Sequence, residues 1–202
     1  MNWLAHVRLS EPSIEHRLGN LLADCVKRKD RTGLSEDFLR GAECHQSIDV
    51  FTDYHPVVGR SRSRIREEWG RFSGILIDVF YDHFLAIDWE HYSDEPLEQF
   101  TAELYAQMEQ CTLPLPPHAD WLVQRIIHDD RLTSYRHYSG IAIALYSISE
   151  RLRQRVGRTF RLERAIADLH KHKEDLRADF HAFFPELITH VRQWMRDQRA
   201  AC

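Results

Sequence analysis

Two stretches of this chain concentrate side chains able to bind a cation. His45, Asp49 and Asp53 recur at i, i+4 and i+8, and Asp78, Asp82 and His83 interrupt the apolar run from Phe72 to Ile87. On a helix, a four-residue spacing stacks side chains on one face. The first stretch is then an acidic stripe ending on an imidazole, and the second a carboxylate pair with His83 turned about 100° away from Asp82. Two ligands at i, i+4 on one helix can share one metal ion. Asp24, inside the apolar run Gly19–Val26, and His6, after Trp3-Leu4-Ala5, add two further ligands of the same kind.

Burial decides what such residues are for. Apolar side chains surround the Phe72–Ile87 segment in nearly every direction, which places it in the core. A carboxylate there costs several kcal/mol unless it is paired or bound to a metal. A structural Asp–Arg or Asp–His pair stays open for Asp78 and Asp82, and a solvated polar face for the His45 stripe. Taken together, His6, Asp24, His45, Asp49, Asp82 and His83 offer imidazole and carboxylate ligands without thiolate, a set that suits Mn²⁺, Mg²⁺ or Fe²⁺ better than structural zinc. The chain has no G-x-S-x-G elbow, P-loop or G-x-G-x-x-G turn, so no nucleophile or phosphate cradle competes with this reading.

The elements that must carry these residues are helices. With 8 Gly and 7 Pro in 202 residues, the chain lacks the turns of an all-β protein. Punctuation predicts helices from about Pro12 to Lys29, from the N-cap Ser35 to Tyr54, from Pro56 to Trp69, from Gly74 to His91 and from Pro96 to Cys111. The prolines of Leu113–Pro117 mark a loop. Beyond it, helices are predicted over Asp120–Arg131, Ser134–Val156, Arg161–Phe183 and Pro185–Arg199, the last two parted at Pro185. Neither repeats nor long linkers occur, so residues 1–202 are expected to form a single compact all-α domain.

Hydrophobic residues at 43% and charged residues at 29% describe an ordinary globular protein. The net charge of −4 argues against a general nucleic-acid binder. Cys25, Cys44, Cys111 and Cys202 form no C-x-x-C pair, no signal peptide opens the chain, and acids break the most apolar window. A reduced cytoplasm without membrane insertion is therefore expected.

Four motifs resemble the acyl carrier protein phosphodiesterase family. They are Asn2-Trp3-Leu4-Ala5-His6, Gly19-Asn20-Leu21-Leu22-Ala23-Asp24, His45-Gln46-Ser47-Ile48-Asp49-Val50-Phe51-Thr52-Asp53 and Asp78-Val79-Phe80-Tyr81-Asp82-His83-Phe84. Phe180-His181-Ala182-Phe183-Phe184-Pro185 is similar to the family's aromatic-Pro ending. The resemblance implies an HD-phosphohydrolase-like helical fold and Mn²⁺-dependent hydrolysis of the phosphodiester joining a carrier-protein serine to 4'-phosphopantetheine. On that basis the expected ligand core is Asp24, His45, Asp82 and His83, with Asp24 and Asp49 as catalytic residues. His6, Asp53 and Asp78 are expected to orient imidazoles or trap protons.

The partner so implied, acyl carrier protein, is acidic. Arg60, Arg62, Arg64 and Arg66, with Arg71, form one basic stretch that would steer its docking, and Arg151, Arg153, Arg155, Arg158, Arg161 and Arg164 form another. Two rival readings remain from sequence: a phosphohydrolase acting on a nucleotide, and a helical interaction module whose acids and histidines are structural.

Overall fold

In the computed structural model, which describes residues 1–201, the chain is helical and no strand occurs among the described residues. The helices are α1 (Trp3–Leu9), α2 (Ile14–Leu22), α3 (Glu36–Tyr54), α4 (Pro56–Trp69), α5 (Ser73–Ile87), α6 (Leu97–Gln110), α7 (Pro117–His128), α8 (Arg131–Ser134), α9 (Tyr138–Val156), α10 (Ile166–Lys171) and α11 (Lys173–Ala201). Short 3-10 turns link several of them, and Cys202 lies outside the described residues. Among the described residues, no helix is long and apolar enough to cross a membrane.

Local chemistry explains the boundaries nearest the site. Ser35 Oγ accepts from the Phe38 amide, which starts α3 where its sequence predicts. Pro56 occupies the first turn of α4, where its missing N–H costs nothing. The second helix stops at Leu22, earlier than its periodicity suggests. The Cys25 and Val26 amides both turn back to Leu22 O, and the Arg31 guanidinium donates to Ala23 O and Val26 O, so the carbonyls left at the helix end are satisfied. This early stop carries Asp24 out of the helix and onto the surface.

The tightest packing joins α2 to α3. A Cβ on Gly19 would lie 2.0 Å from Phe38 O, and one on Gly41 would lie 2.1 Å from His16 O. Each helix thus offers a glycine to the other's backbone, and the approach brings Asn20 beneath His45.

As expected from its all-round apolar character, α5 is central: Ile77, Phe80, Tyr81, Asp82, Phe84 and Leu85 are all fully buried. It packs against α1, α4, α9 and α11. Tyr81 and Phe84 meet Phe180, and Tyr81 also meets Phe183, so an aromatic layer joins α5 to α11.

The predicted break at Pro185 does not occur, because α11 runs through it and the chain breaks at His172 instead. A helix-interior proline costs about 3 kcal/mol. Phe183, Phe184 and Leu187 around it are fully buried, and each such side chain contributes roughly 1.5–3 kcal/mol. Packing wins. The predicted helix over Ser134–Val156 starts later than expected and ends where expected: α8 ends at Ser134 and α9 runs from Tyr138 to Val156. A Cβ at Gly140 would lie 2.0 Å from Ser134 O, so the reversal there needs glycine.

Candidate metal centre

Three elements deliver the centre. α1 supplies His6, α3 supplies His45 and Asp49 one turn apart, and α2 supplies Asn20 between them. The imidazoles of His6 and His45 stack with centroids 4.1 Å apart. His6 Nε2 lies 3.3 Å from Asp49 Oδ1, and His45 Nε2 lies 3.1 Å from Asp49 Oδ2. One ligand atom from each of these three residues lies within 4.8 Å of the other two, close enough for a single cation.

Asn20 sets the direction of both rings. Its Nδ2 donates to His6 O at 3.0 Å and Ser10 Oγ at 2.9 Å, which turns its Oδ1 toward His6 Nδ1 at 2.7 Å. Its backbone carbonyl accepts from His45 Nδ1 at 2.8 Å. Both Nδ1 atoms therefore carry hydrogen and donate, and a neutral ring then keeps its lone pair on Nε2. Neither Nε2 makes a hydrogen bond of good geometry, and both are buried. Buried polar atoms are rarely left so. Two lone pairs converge beside a carboxylate, with the opposite face of each ring anchored by an oxygen, and this is the usual construction of imidazole metal ligands. The donor set fits a divalent cation.

The electrostatics agree. Burial disfavours a charged His45, yet the Asp24 and Asp49 carboxylates outweigh it and push the ring up to about 9. Burial alone would raise Asp49, but His45, His6 and the amino terminus hold it well below the usual carboxylate range. His6, enclosed and facing another imidazole, is pushed down by burial. The place demands positive charge, whether a proton or a metal ion.

Asp24 stands at the mouth with its side chain 92% exposed, its Oδ1 3.6 Å from His45 Nε2. Asp78 reaches the same region from α5: the Met1 amino nitrogen lies 3.2 Å from Asp78 Oδ1 and 3.6 Å from Asp49 Oδ1.

Other residues singled out from sequence go elsewhere. Asp82 does not join the cluster. Its two oxygens accept from the Leu4 and Ala5 amides at 2.7 and 3.2 Å, satisfying the start of α1 as an N-cap would. Burial pushes it up to about 7 against those two bonds. Asp82 thus anchors the start of α1, the helix that carries His6. His83, rotated off that face, points Nδ1 at Tyr135 O, 2.8 Å away, and packs on Tyr138. Asp53, a further turn along α3, is exposed and paired with Arg62. Of the ligand core expected from sequence, His45 lies in the cluster together with His6 and Asp49, Asp24 stands at its mouth, and Asp82 and His83 lie outside it. Asn20 was overlooked; its signal was a carboxamide inside an otherwise apolar helical stretch.

The first basic stretch is spent on the fold. Arg60 and Arg64 both bind Asp179, Arg64 also binds Asp175, and Arg62 binds Asp53. Arg66 alone of the four has no acidic partner among the described residues. In the second stretch Arg153 pairs with Glu150, while Arg151, Arg155, Arg158, Arg161 and Arg164 are exposed and have no ion pair among the described residues.

A second His–Asp group, Asp88, His91 and His181, also has ligand atoms within 4.8 Å of one another. There Arg177 binds both oxygens of Asp88, and His181 Nε2 lies 3.0 Å from one of them. Its charge is already answered.

Comparison with known proteins gives the family. The family model described as acyl carrier protein phosphodiesterase matches residues 1–187. The chain is 33% identical over 190 residues to an acyl carrier protein phosphodiesterase of Salmonella dublin, covering 94% of this chain and 96% of the relative. It is 32% identical over 189 residues to one of Escherichia coli O45:K1, covering 93% and 96%. No solved structure matches.

Proposed function

The chain belongs to the acyl carrier protein phosphodiesterase family, and on that premise we propose that it uses a divalent cation to hydrolyse the phosphodiester between a carrier-protein serine and 4'-phosphopantetheine. The products are apo carrier protein and free 4'-phosphopantetheine. One observation carries the metal dependence: the two buried, unpartnered Nε2 atoms of His6 and His45 flanking Asp49. Mn²⁺ is the proposed ion, with Mg²⁺ or Fe²⁺ as the alternatives that a thiolate-free donor set accommodates. A His/Asp site assembled from several helices also supports the relation to HD-type phosphohydrolases.

The cation, when bound, supplies Lewis acidity to a phosphoryl oxygen and lowers the pKa of water. His6, His45 and Asp49 would hold it, and Asn20 aims both rings. Asp24, exposed at the mouth and next to His45, would accept a proton from the attacking water at a carboxylate oxygen. Asp78 adds negative charge behind the centre. Asp82 holds the first turn of α1, and with it the position of His6. The exposed arginines of α9 and the segment after it, Arg151, Arg155, Arg158, Arg161 and Arg164, suit docking of an acidic carrier protein better than the ion-paired Arg60–Arg66 stretch. The three described cysteines are free, in keeping with a cytoplasmic setting.

The test is intact-mass measurement of holo acyl carrier protein incubated with the enzyme and Mn²⁺ or EDTA. Loss of the prosthetic-group mass only with Mn²⁺ is expected. An unchanged carrier protein in both samples would discard the reading and redirect the search to nucleotide substrates.

A further inference from the structure

A largely apolar groove between α7 and α9 has no role in the chemistry described so far. Its volume is about 260 Å³, and Asn2, Trp3, Trp121, Tyr135, Ala144 and Tyr146 line it. Its inner end is built from the residues directly after Met1, whose amino nitrogen lies 3.6 Å from Asp49 Oδ1. At that end Asn2 Nδ2 donates to Tyr135 Oη at 2.9 Å, which leaves the side-chain Oδ1 of Asn2 for a ligand amide. Its outer end is aromatic and open, with Trp121 64% and Tyr146 55% exposed, and Ile143 beside them 49% exposed. Large apolar side chains gathered at a concavity mark a binding surface rather than ordinary monomer surface.

Resting on the proposed function, we infer that this groove between α7 and α9 receives the pantetheine arm of the substrate and makes Trp121 and Tyr146 determinants of specificity. Three features select that occupant. Asn2 and Trp3 at its inner end follow Met1, whose amino nitrogen is 3.6 Å from Asp49 Oδ1, so a group attached to a phosphorus held at the centre has this groove as its neighbour. At about 260 Å³ it can hold an unbranched chain but not a folded partner or a helix. Its inner end is polar and most of its wall apolar, matching a chain of amides and methylenes. Of the arginines in the wall, Arg125 and Arg131 are both neutralised by Asp129, and Arg151, at the C-terminal end of α9, has no ion pair among the described residues.

The experiment uses holo carrier protein with a benzophenone on the arm's thiol, irradiated with the full-length enzyme in EDTA so that the phosphodiester stays intact. Crosslinks are located by peptide mass spectrometry. Labelling of peptides containing Trp121 or Tyr146 is expected; labelling elsewhere, or none, overturns the assignment. Kinetics with unmodified holo carrier protein give an independent reading: Trp121→Ala and Tyr146→Ala should each raise KM roughly tenfold with kcat little changed. Wild-type KM in both variants would count against the groove. Turnover of the carrier protein by wild-type enzyme is scored in parallel. Crosslinking in the groove without turnover would sink the proposed activity alone, and turnover with crosslinks elsewhere would sink the groove alone.

Discussion

Asp49 and Asp179 are both carboxylates held against their own helix's neighbours, yet their surroundings differ in kind. Asp179 is 2% exposed and fully answered: Arg60 Nε at 2.9 Å, Ser61 Oγ at 2.8 Å and Arg64 Nε at 3.2 Å occupy its oxygens. Asp49 has imidazole nitrogens of poor hydrogen-bond geometry and no arginine. Arginine is always charged and brings a fixed fork of donors, so it closes a site. Imidazole exchanges its proton near neutral pH, so the same place can be emptied and refilled by a cation. Residue type alone does not separate a structural acid from a functional one. The unspent lone pairs do.

The sharpest way to break this contrast is to exchange the two outcomes. Asp49→Asn should lower turnover of holo carrier protein by about 10³-fold or more while leaving the melting temperature near wild type. Asp179→Ala should do the opposite, costing about 2–3 kcal/mol of stability by denaturant unfolding while the folded fraction keeps its kcat. Similar damage to both properties in both variants would erase the distinction. Next in size, Asn20→Ala should weaken metal affinity by roughly 10–100-fold, because the two rings lose their anchor; calorimetric titration with Mn²⁺ reads it.

The pH responses should also diverge. His45 is raised to about 9, so the metal-free fold gains stability from its proton below the ordinary histidine pKa and loses that gain as pH rises through about 9. A metal ion must displace this proton, so Mn²⁺ affinity should climb with pH below 9, by at most about tenfold per unit. Asp179 is depressed, since Arg60, Ser61 and Arg64 outweigh its burial. Its contribution is present above the unfolded carboxylate pKa of about 3.9 and disappears as pH falls below it, so Asp179→Ala should flatten the acid limb of the stability curve. The smallest effect is expected at Arg66→Glu, which removes no ion pair: stability within about 0.5 kcal/mol and a modest rise in KM for carrier protein.

The helices around the site were readable because local rules govern them. Ser35 caps and Pro56 starts a helix whatever lies across the core, and i, i+4 spacing puts His45 and Asp49 on one face of any helix. Tertiary choices were not readable. Spacing told which face Asp82 occupies, but not that the Leu4 and Ala5 amides, almost 80 residues away in sequence, would consume it. Counting arginines along residues 60–66 suggested a docking patch, because Asp175 and Asp179 belong to a helix more than a hundred residues distant. Pro185 misled for the same reason, since the aromatic layer that overrules it is assembled from α5 and α11.

The reciprocal glycines of α2 and α3 bear on the order in which this protein assembles. The two helices are neighbours in sequence, joined by a loop of little more than a dozen residues, so bringing Gly19 and Gly41 into place closes only a short stretch of chain. Asn20 and His45 ride on that hairpin and can meet early, whereas α11 must return across most of the chain before Asp179 finds Arg60. Half of the cation site is then shaped by a local folding event, and a bulky residue at Gly19 should slow refolding as well as weaken metal binding.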